Sequence, residues 1–111
     1  MGHSYIEATE ETFADEVEKF SGVAMVDFWA TWCGPCLMMA PAIEQIGEQY
    51  KGNDKVKIVK VDVDQNPTLA EKYQIQSIPN IKYFKDGQIV DETVGVMPAG
   101  ELARHIDAAL A

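Results

Sequence analysis

Two cysteines, Cys33 and Cys36, are the only thiols in a chain of 111 residues, and they stand three positions apart in Thr31-Trp32-Cys33-Gly34-Pro35-Cys36. That spacing admits a reversible dithiol, half of a metal site, or an inert buried pair. Zinc needs about four ligands, and only His3 and His105 remain to complete a set, with no second Cys-x-x-Cys. An iron–sulfur cluster lacks its further cysteines, and Leu37 stands where c-type haem attachment requires histidine. No metal is expected. A redox-active dithiol is the favoured reading, and an inert core pair is its alternative.

The elements around the pair say what it can do. Val23 to Ala30 is a near-continuous apolar run of strand length, as in a strand buried on both faces. From Leu37 through Met38, Ile43, Ile46 and Tyr50 the pattern is helical, with Pro41 inside it predicting a kink. The cysteines therefore open a helix directly after a buried strand. A thiol there meets unpaired backbone N–H groups and the positive end of the helix dipole, which stabilise its thiolate. A disulfide across so short a loop adds little chain-entropy stabilisation, and a bond easily made and broken suits exchange chemistry.

Elsewhere, Thr9 followed by Glu10-Glu11 predicts a helix start, with Phe13, Val17 and Phe20 as its apolar stripe and Ser21-Gly22 as its stop. Val56 to Val63 reads as a strand, and Asn66-Pro67 as the cap and first residue of a short helix carrying Leu69, Ala70 and Tyr73. Asn80 to Phe84 and Gln88 to Val94 form a hairpin across Asp86-Gly87, and Leu102, Ile106 and Leu110 mark a last helix. The order (β)α-β-α-β-α-β-β-α predicts an α/β fold. Its mixed central sheet has a parallel first half, an antiparallel C-terminal hairpin and helices on both faces.

Composition narrows the class. One domain spanning 1–111 is expected, with residues 1–4 as a possible appended tail. The 47% hydrophobic content is that of a globular domain. Eighteen acidic against nine basic residues leave a net charge of −9, which disfavours nucleic acid and anionic membranes as partners. The first residues show neither a basic nor an apolar signal region, and no run approaches the ~20 apolar residues of a membrane span, so a cytoplasmic location is expected. The chain is expected to act as a monomer.

The run Val26-Asp27-Phe28-Trp29-Ala30-Thr31-Trp32-Cys33-Gly34-Pro35-Cys36 resembles the active-site signature of the thioredoxin family. The similarity continues through Ala40-Pro41, Lys60 to Pro67, Tyr73, Ile75, Ser77-Ile78-Pro79, Phe84, Gly87 and Val94-Gly95, covering nearly the whole chain. This resemblance implies the thioredoxin fold and a general protein-disulfide reductase with no separate cofactor, the Cys33/Cys36 pair being the redox centre. Its implied partners are disulfide-containing client proteins and an NADPH-dependent thioredoxin reductase.

Residue by residue, the resemblance makes Cys33 the exposed nucleophile and Cys36 the more buried resolving thiol, with Gly34 and Pro35 between them. Asp27 matches a buried carboxylate that exchanges a proton with Cys36, and Lys60 a lysine that tunes it. A lone Asp between Met25-Val26 and Phe28-Trp29 is independently an expensive placement whose acidity burial would weaken. Pro79 matches a cis-proline facing the dithiol, and Ile78 a backbone that pairs with substrate. Trp32, Gly95 and Met97 complete the implied docking surface, while Trp29 reads as structural.

Two positions depart from the family pattern. Leu37 stands where lysine is common, removing a cation near the thiols and adding apolar surface, and Asn80 stands where threonine is common. The rival to an enzyme is a non-catalytic binding or assembly subunit on the same fold, against which the intact cysteines speak. An exported oxidase or isomerase is disfavoured by the Gly34-Pro35 dipeptide and the absence of a signal region.

Overall fold

In the computed structural model, which describes residues 4–111, the chain runs β1 (Ile6–Glu7), a π-helical turn (Ala14–Glu18), β2 (Val23–Trp29), α1 (Gly34–Gln49), β3 (Val56–Asp62), α2 (Pro67–Lys72), β4 (Asn80–Lys85), β5 (Gln88–Val94) and α3 (Ala99–Leu110). Met1, Gly2 and His3 lie outside the described residues, and with them His3 as a candidate ligand. The strands form one sheet in the order β1-β3-β2-β4-β5. β3 is parallel to β1 and β2, whereas β4 is antiparallel to β2 and β5. The expected mixed α/β sheet is present, with β2 and β3 joined by α1.

β2 lies at the middle of the sheet because both of its faces are apolar. Ala24, Val26 and Phe28 point to one side and pack with Val59, Val61 and Phe84 beneath Phe13, Val17 and Leu69. Val23 and Met25 point to the other, where Met39, Ile43 and Ile46 of α1 and Leu102 and Ile106 of α3 cover them. Burying each such large side chain contributes roughly 1.5–3 kcal/mol. Alternation along β2 assigns Asp27 to this second face, the face under α1. α1 packs on this face through Met39, Ile43 and Ile46, and Asp27 lies toward the C-terminal end of β2, the end from which the chain leaves for α1.

The helix expected from Thr9 takes a different form. The chain does turn at Thr9, whose carbonyl accepts the N–H groups of Thr12 and Phe13 at 3.1 and 2.9 Å. It then widens into the π-helical turn, with Lys19 N–H reaching the Ala14 carbonyl at 2.8 Å. Tertiary ties override local helix preference here. Phe13 and Val17 are both drawn into the core, and Lys57 on β3 grips the Glu16 carboxylate at 2.9 Å while lying over the Phe20 ring.

Asn66 heads α2 as expected, but its side chain does not cap that helix. Its amide nitrogen donates to the Asp62 carbonyl, and its Oδ1 accepts Glu10 N–H at 3.0 Å. The capping role passes to Glu10, whose carboxylate accepts Thr68 N–H at 2.8 Å and stabilises the positive end of α2.

Asp86 and Gly87 turn the β4–β5 hairpin with φ of 50° and 82°. A Cβ at Gly87 would stand 2.3 Å from the Glu18 carbonyl oxygen, so backbone would have to move. Gly87→Ala is expected to destabilise the fold by more than about 1 kcal/mol. Urea denaturation monitored by tryptophan fluorescence would measure it, and an unchanged midpoint would refute the close approach.

Candidate active site

Cys33 is the N-cap residue of α1 and forms a disulfide with Cys36, the two Cα atoms 5.2 Å apart. The Cys36 backbone N–H donates to Cys33 Sγ at 3.1 Å, so the sulfur fills the place that a capping oxygen takes in other helices. This is the local arrangement that favours negative charge on Cys33 once the bond is opened. Pro35 occupies the first turn, where its missing N–H costs no helical hydrogen bond.

The expected difference in exposure between the two cysteines is corrected by the structure. Each retains 4% of its accessible surface. The pair packs in a small cluster with Ala30, Trp29, Val63 and Ile78, and Cys33 Sγ lies 3.8 Å from the Ile78 carbonyl oxygen. The loop before β4 thus screens Cys33 as well as α1 screens Cys36. What distinguishes the sulfurs is their electrostatic setting: Cys33 receives the helix N–H.

That loop contains a cis Ile78–Pro79 bond. Its position is held from β5, since Gly95 N–H donates to the Pro79 carbonyl at 2.9 Å and Gly95 adopts φ 94°. Met97 N–H in turn points at Met39 Sδ on α1, 3.4 Å away. Ile78 lies against the dithiol, a backbone hydrogen bond joins Pro79 to Gly95, and two residues on, Met97 is tied to the α1 side chain of Met39. Asn80 anchors the start of β4, because its amide donates to Glu92 Oε2 at 2.9 Å and the same carboxylate pairs with nearly buried Lys82. These contacts pin the residue after Pro79 to the edge strand.

Around the disulfide the surface is apolar. Trp32 keeps 67% of its surface exposed, its indole N–H donating to Asp64 at 2.6 Å, so the ring is oriented without being buried. Leu37 and Met38 are exposed beside it, as are Gly34 and Pro35. Leu37→Lys in the reduced protein is expected to lower the Cys33 titration midpoint by a few tenths of a unit, because an exposed cation near the helix start is strongly screened. Thiol absorbance at 240 nm against pH reads this directly, and superposable curves would remove the electrostatic role of position 37.

Asp27 is buried beside Lys60, its partner in the β2–β3 register. Burial pushes its carboxyl up from 3.8 to about 7, against the opposing pull of the Lys60 ammonium. Oδ1 of Asp27 and Nε1 of Trp29 are both buried without a hydrogen-bond partner. A buried acid whose carboxyl is pushed toward neutrality, on the sheet face that α1 packs against, can give or take a proton near neutral pH.

Among the described residues, no group of three or more His, Cys, Asp or Glu side chains is gathered to hold a metal ion. His105, weighed as a ligand, bonds instead to Asp91 at 2.6 Å and stacks on Tyr83 with centroids 5.3 Å apart. No helix among the described residues is long and apolar enough to cross a membrane.

The thioredoxin family profile matches residues 4–108. The chain belongs to the thioredoxin family. It is 50% identical over 99 residues to thioredoxin 1 of Synechococcus elongatus, an alignment covering 89% of this chain and 91% of that one. It is also 50% identical over 102 residues to the thioredoxin of Staphylococcus aureus, covering 92% and 94%. Thioredoxin membership and the bridged Cys33/Cys36 pair make the protein a thiol–disulfide oxidoreductase, the activity expected from the dithiol. Two participants in the thioredoxin site escaped sequence reading. Asp64 and Glu92 are ordinary surface acids by pattern, and only the fold brings them to Trp32 and Asn80.

Proposed function

We propose that this thioredoxin-family protein is a general cytoplasmic reductase of protein disulfides, working as a monomer and re-reduced by an NADPH-dependent thioredoxin reductase. The observation that carries the reading is the capped sulfur of Cys33 at the head of α1, beside the Ile78–Pro79 loop. In the reduced protein, the Cys33 thiolate attacks one sulfur of a client disulfide. The client S–S bond breaks, its second sulfur leaves as a thiolate that takes up a proton, and a mixed disulfide with Cys33 remains. Cys36 gives its proton to the Asp27 carboxylate and attacks Cys33 Sγ. The Cys33–Cys36 disulfide forms, the client's remaining sulfur leaves as a thiolate that takes up a proton, and Asp27 gives up the proton it received. Two electrons pass to the client, and the reductase returns two from NADPH.

The other residues have roles in this cycle. Ile78 offers its backbone to the client chain as an added strand, with Pro79 presenting it. Trp32, Gly95 and Met97 form the walls of the docking surface, and Lys60 limits how far burial raises Asp27. Gly34 and Pro35 keep the first turn narrow. No separate cofactor takes part, because the dithiol itself carries the electrons.

The direct test couples the protein to a bacterial thioredoxin reductase and follows NADPH oxidation with insulin as the disulfide substrate. Steady NADPH consumption that depends on the protein is expected. Insulin reduction driven by dithiothreitol but not by the reductase would keep the exchange chemistry and remove the proposed electron donor.

A further inference from the structure

Lys60 presents a problem that the dithiol cycle does not resolve. It retains only 8% of its accessible surface, and a cation on a side chain so largely removed from water needs electrostatic compensation. The structure supplies that compensation from both neighbouring strands. β3 is flanked by β2 and β1, with Asp27 opposite Lys60 on one side and Glu7 on the other. Two residues beyond Asp27, the Trp29 ring lies 4.2 Å from Lys60 Nζ. Two residues before Glu7, the Tyr5 ring lies 5.0 Å from the same atom. Both distances are within cation–π range. One aromatic ring therefore reaches the ammonium from each side of the strand that carries it.

We propose that Tyr5 is a positioning residue of the dithiol site: with Trp29 it clamps the Lys60 ammonium, so the segment before β1 sets how strongly Lys60 acts on Asp27. The inference rests on the proposed roles of Asp27 and Lys60. Tyr5 is half-buried, packed at the margin of the core under α1, and its phenol is pushed up by burial and by Glu44 and Glu7. The charged and titratable groups along this path are Lys60 on β3, Tyr83 on β4, Tyr5 and Glu7 at β1, and Glu44 and the dithiol on α1. α3 contributes apolar Leu102 and Ile106 to the same face. Lys60 is the cation on that path. Without its ring from the β1 side, the flexible lysine stem can swing toward solvent, and its pull on Asp27 weakens.

The test is the titration of the Asp27 carboxyl, followed by carbon-detected NMR in the oxidised full-length protein. Tyr5→Leu is expected to raise the Asp27 midpoint by roughly half a unit, and Tyr5→Phe, which keeps the ring, to leave it in place. Lys60→Met should raise it at least as far, and adding Tyr5→Leu to Lys60→Met should change nothing more. A Tyr5→Leu midpoint equal to wild type, with Lys60→Met shifted, would overturn the clamp and leave the Lys60 role standing. An unshifted Lys60→Met would remove the Lys60 role itself. Nuclear Overhauser contacts between the Tyr5 ring and Lys60 Hε in the wild type need no variant to fold, and their absence would also overturn the clamp.

Discussion

Cys33→Ser is expected to bring insulin reduction down to the uncatalysed background, a loss on the order of 1,000-fold or more, because a serine hydroxyl has almost no nucleophilic anion at neutral pH. Cys36→Ser should behave differently. It retains the attacking thiolate and so forms one mixed disulfide per molecule, then stalls for want of a resolving sulfur. Non-reducing electrophoresis after mixing with a disulfide client separates the two outcomes. Exposure does not decide between the sulfurs, since both retain 4% of their surface. The prediction rests on the Cys36 N–H directed at Cys33 Sγ and on the N-cap position of Cys33. If Cys33→Ser traps clients and Cys36→Ser does not, the two roles are reversed.

The second large effect is on stability and concerns Asp27. Its carboxyl titrates at about 7 in the folded protein against 3.8 ordinarily, because burial disfavours its charge. Below pH 3.8 the group is protonated in both folded and unfolded chains, and no penalty arises. As pH rises toward 7 the unfolded chain ionises first, so the unfolded state gains and the fold loses stability; above about 7 the loss is constant. The gap of roughly three units corresponds to about 4 kcal/mol. Asp27→Asn removes this pH-dependent part. Relative to wild type the variant should grow more stable from about pH 4 to about pH 7 by an amount of that order, as read from denaturant midpoints of the oxidised proteins. Parallel stability curves across that range would show that Asp27 ionises at its ordinary value. The same substitution should slow the resolving step, since general acid–base groups contribute about 10²-fold or more, and a slowed step would appear as accumulated mixed disulfide.

These two expectations pull in opposite directions. The residue that makes the fold less stable at neutral pH is the one proposed to move the proton, and a buried group with an unmatched oxygen is a feature that packing alone would eliminate. Tyr5 and Trp29 extend the arrangement outward, because what they hold is a cation that moderates that instability.

Local chemistry determined much of this protein. The Cys33/Cys36 spacing, the apolar run of β2, the β-branched β3, the Asp86-Gly87 hairpin and the 3.6-residue stripe of α3 are properties of neighbouring residues, and each element formed where its pattern placed it. The oddity of Asp27 within an apolar strand was legible for the same reason. What only the tertiary structure decided involves residues far apart in the chain. The i, i+4 spacing of Phe13 and Val17 suits either a regular helix or a wider turn, and ties to Asn66 and Lys57 select the π-helical form. The burial of Cys33 comes from Ile78, 45 residues away. A two-residue β1 carries no periodicity, yet its pairing with β3 brings Tyr5 to Lys60. Sequence pattern reports the propensities of adjacent residues; which side chains then share a buried space is settled by sheet order and register, and there the electrostatics of the dithiol site are set.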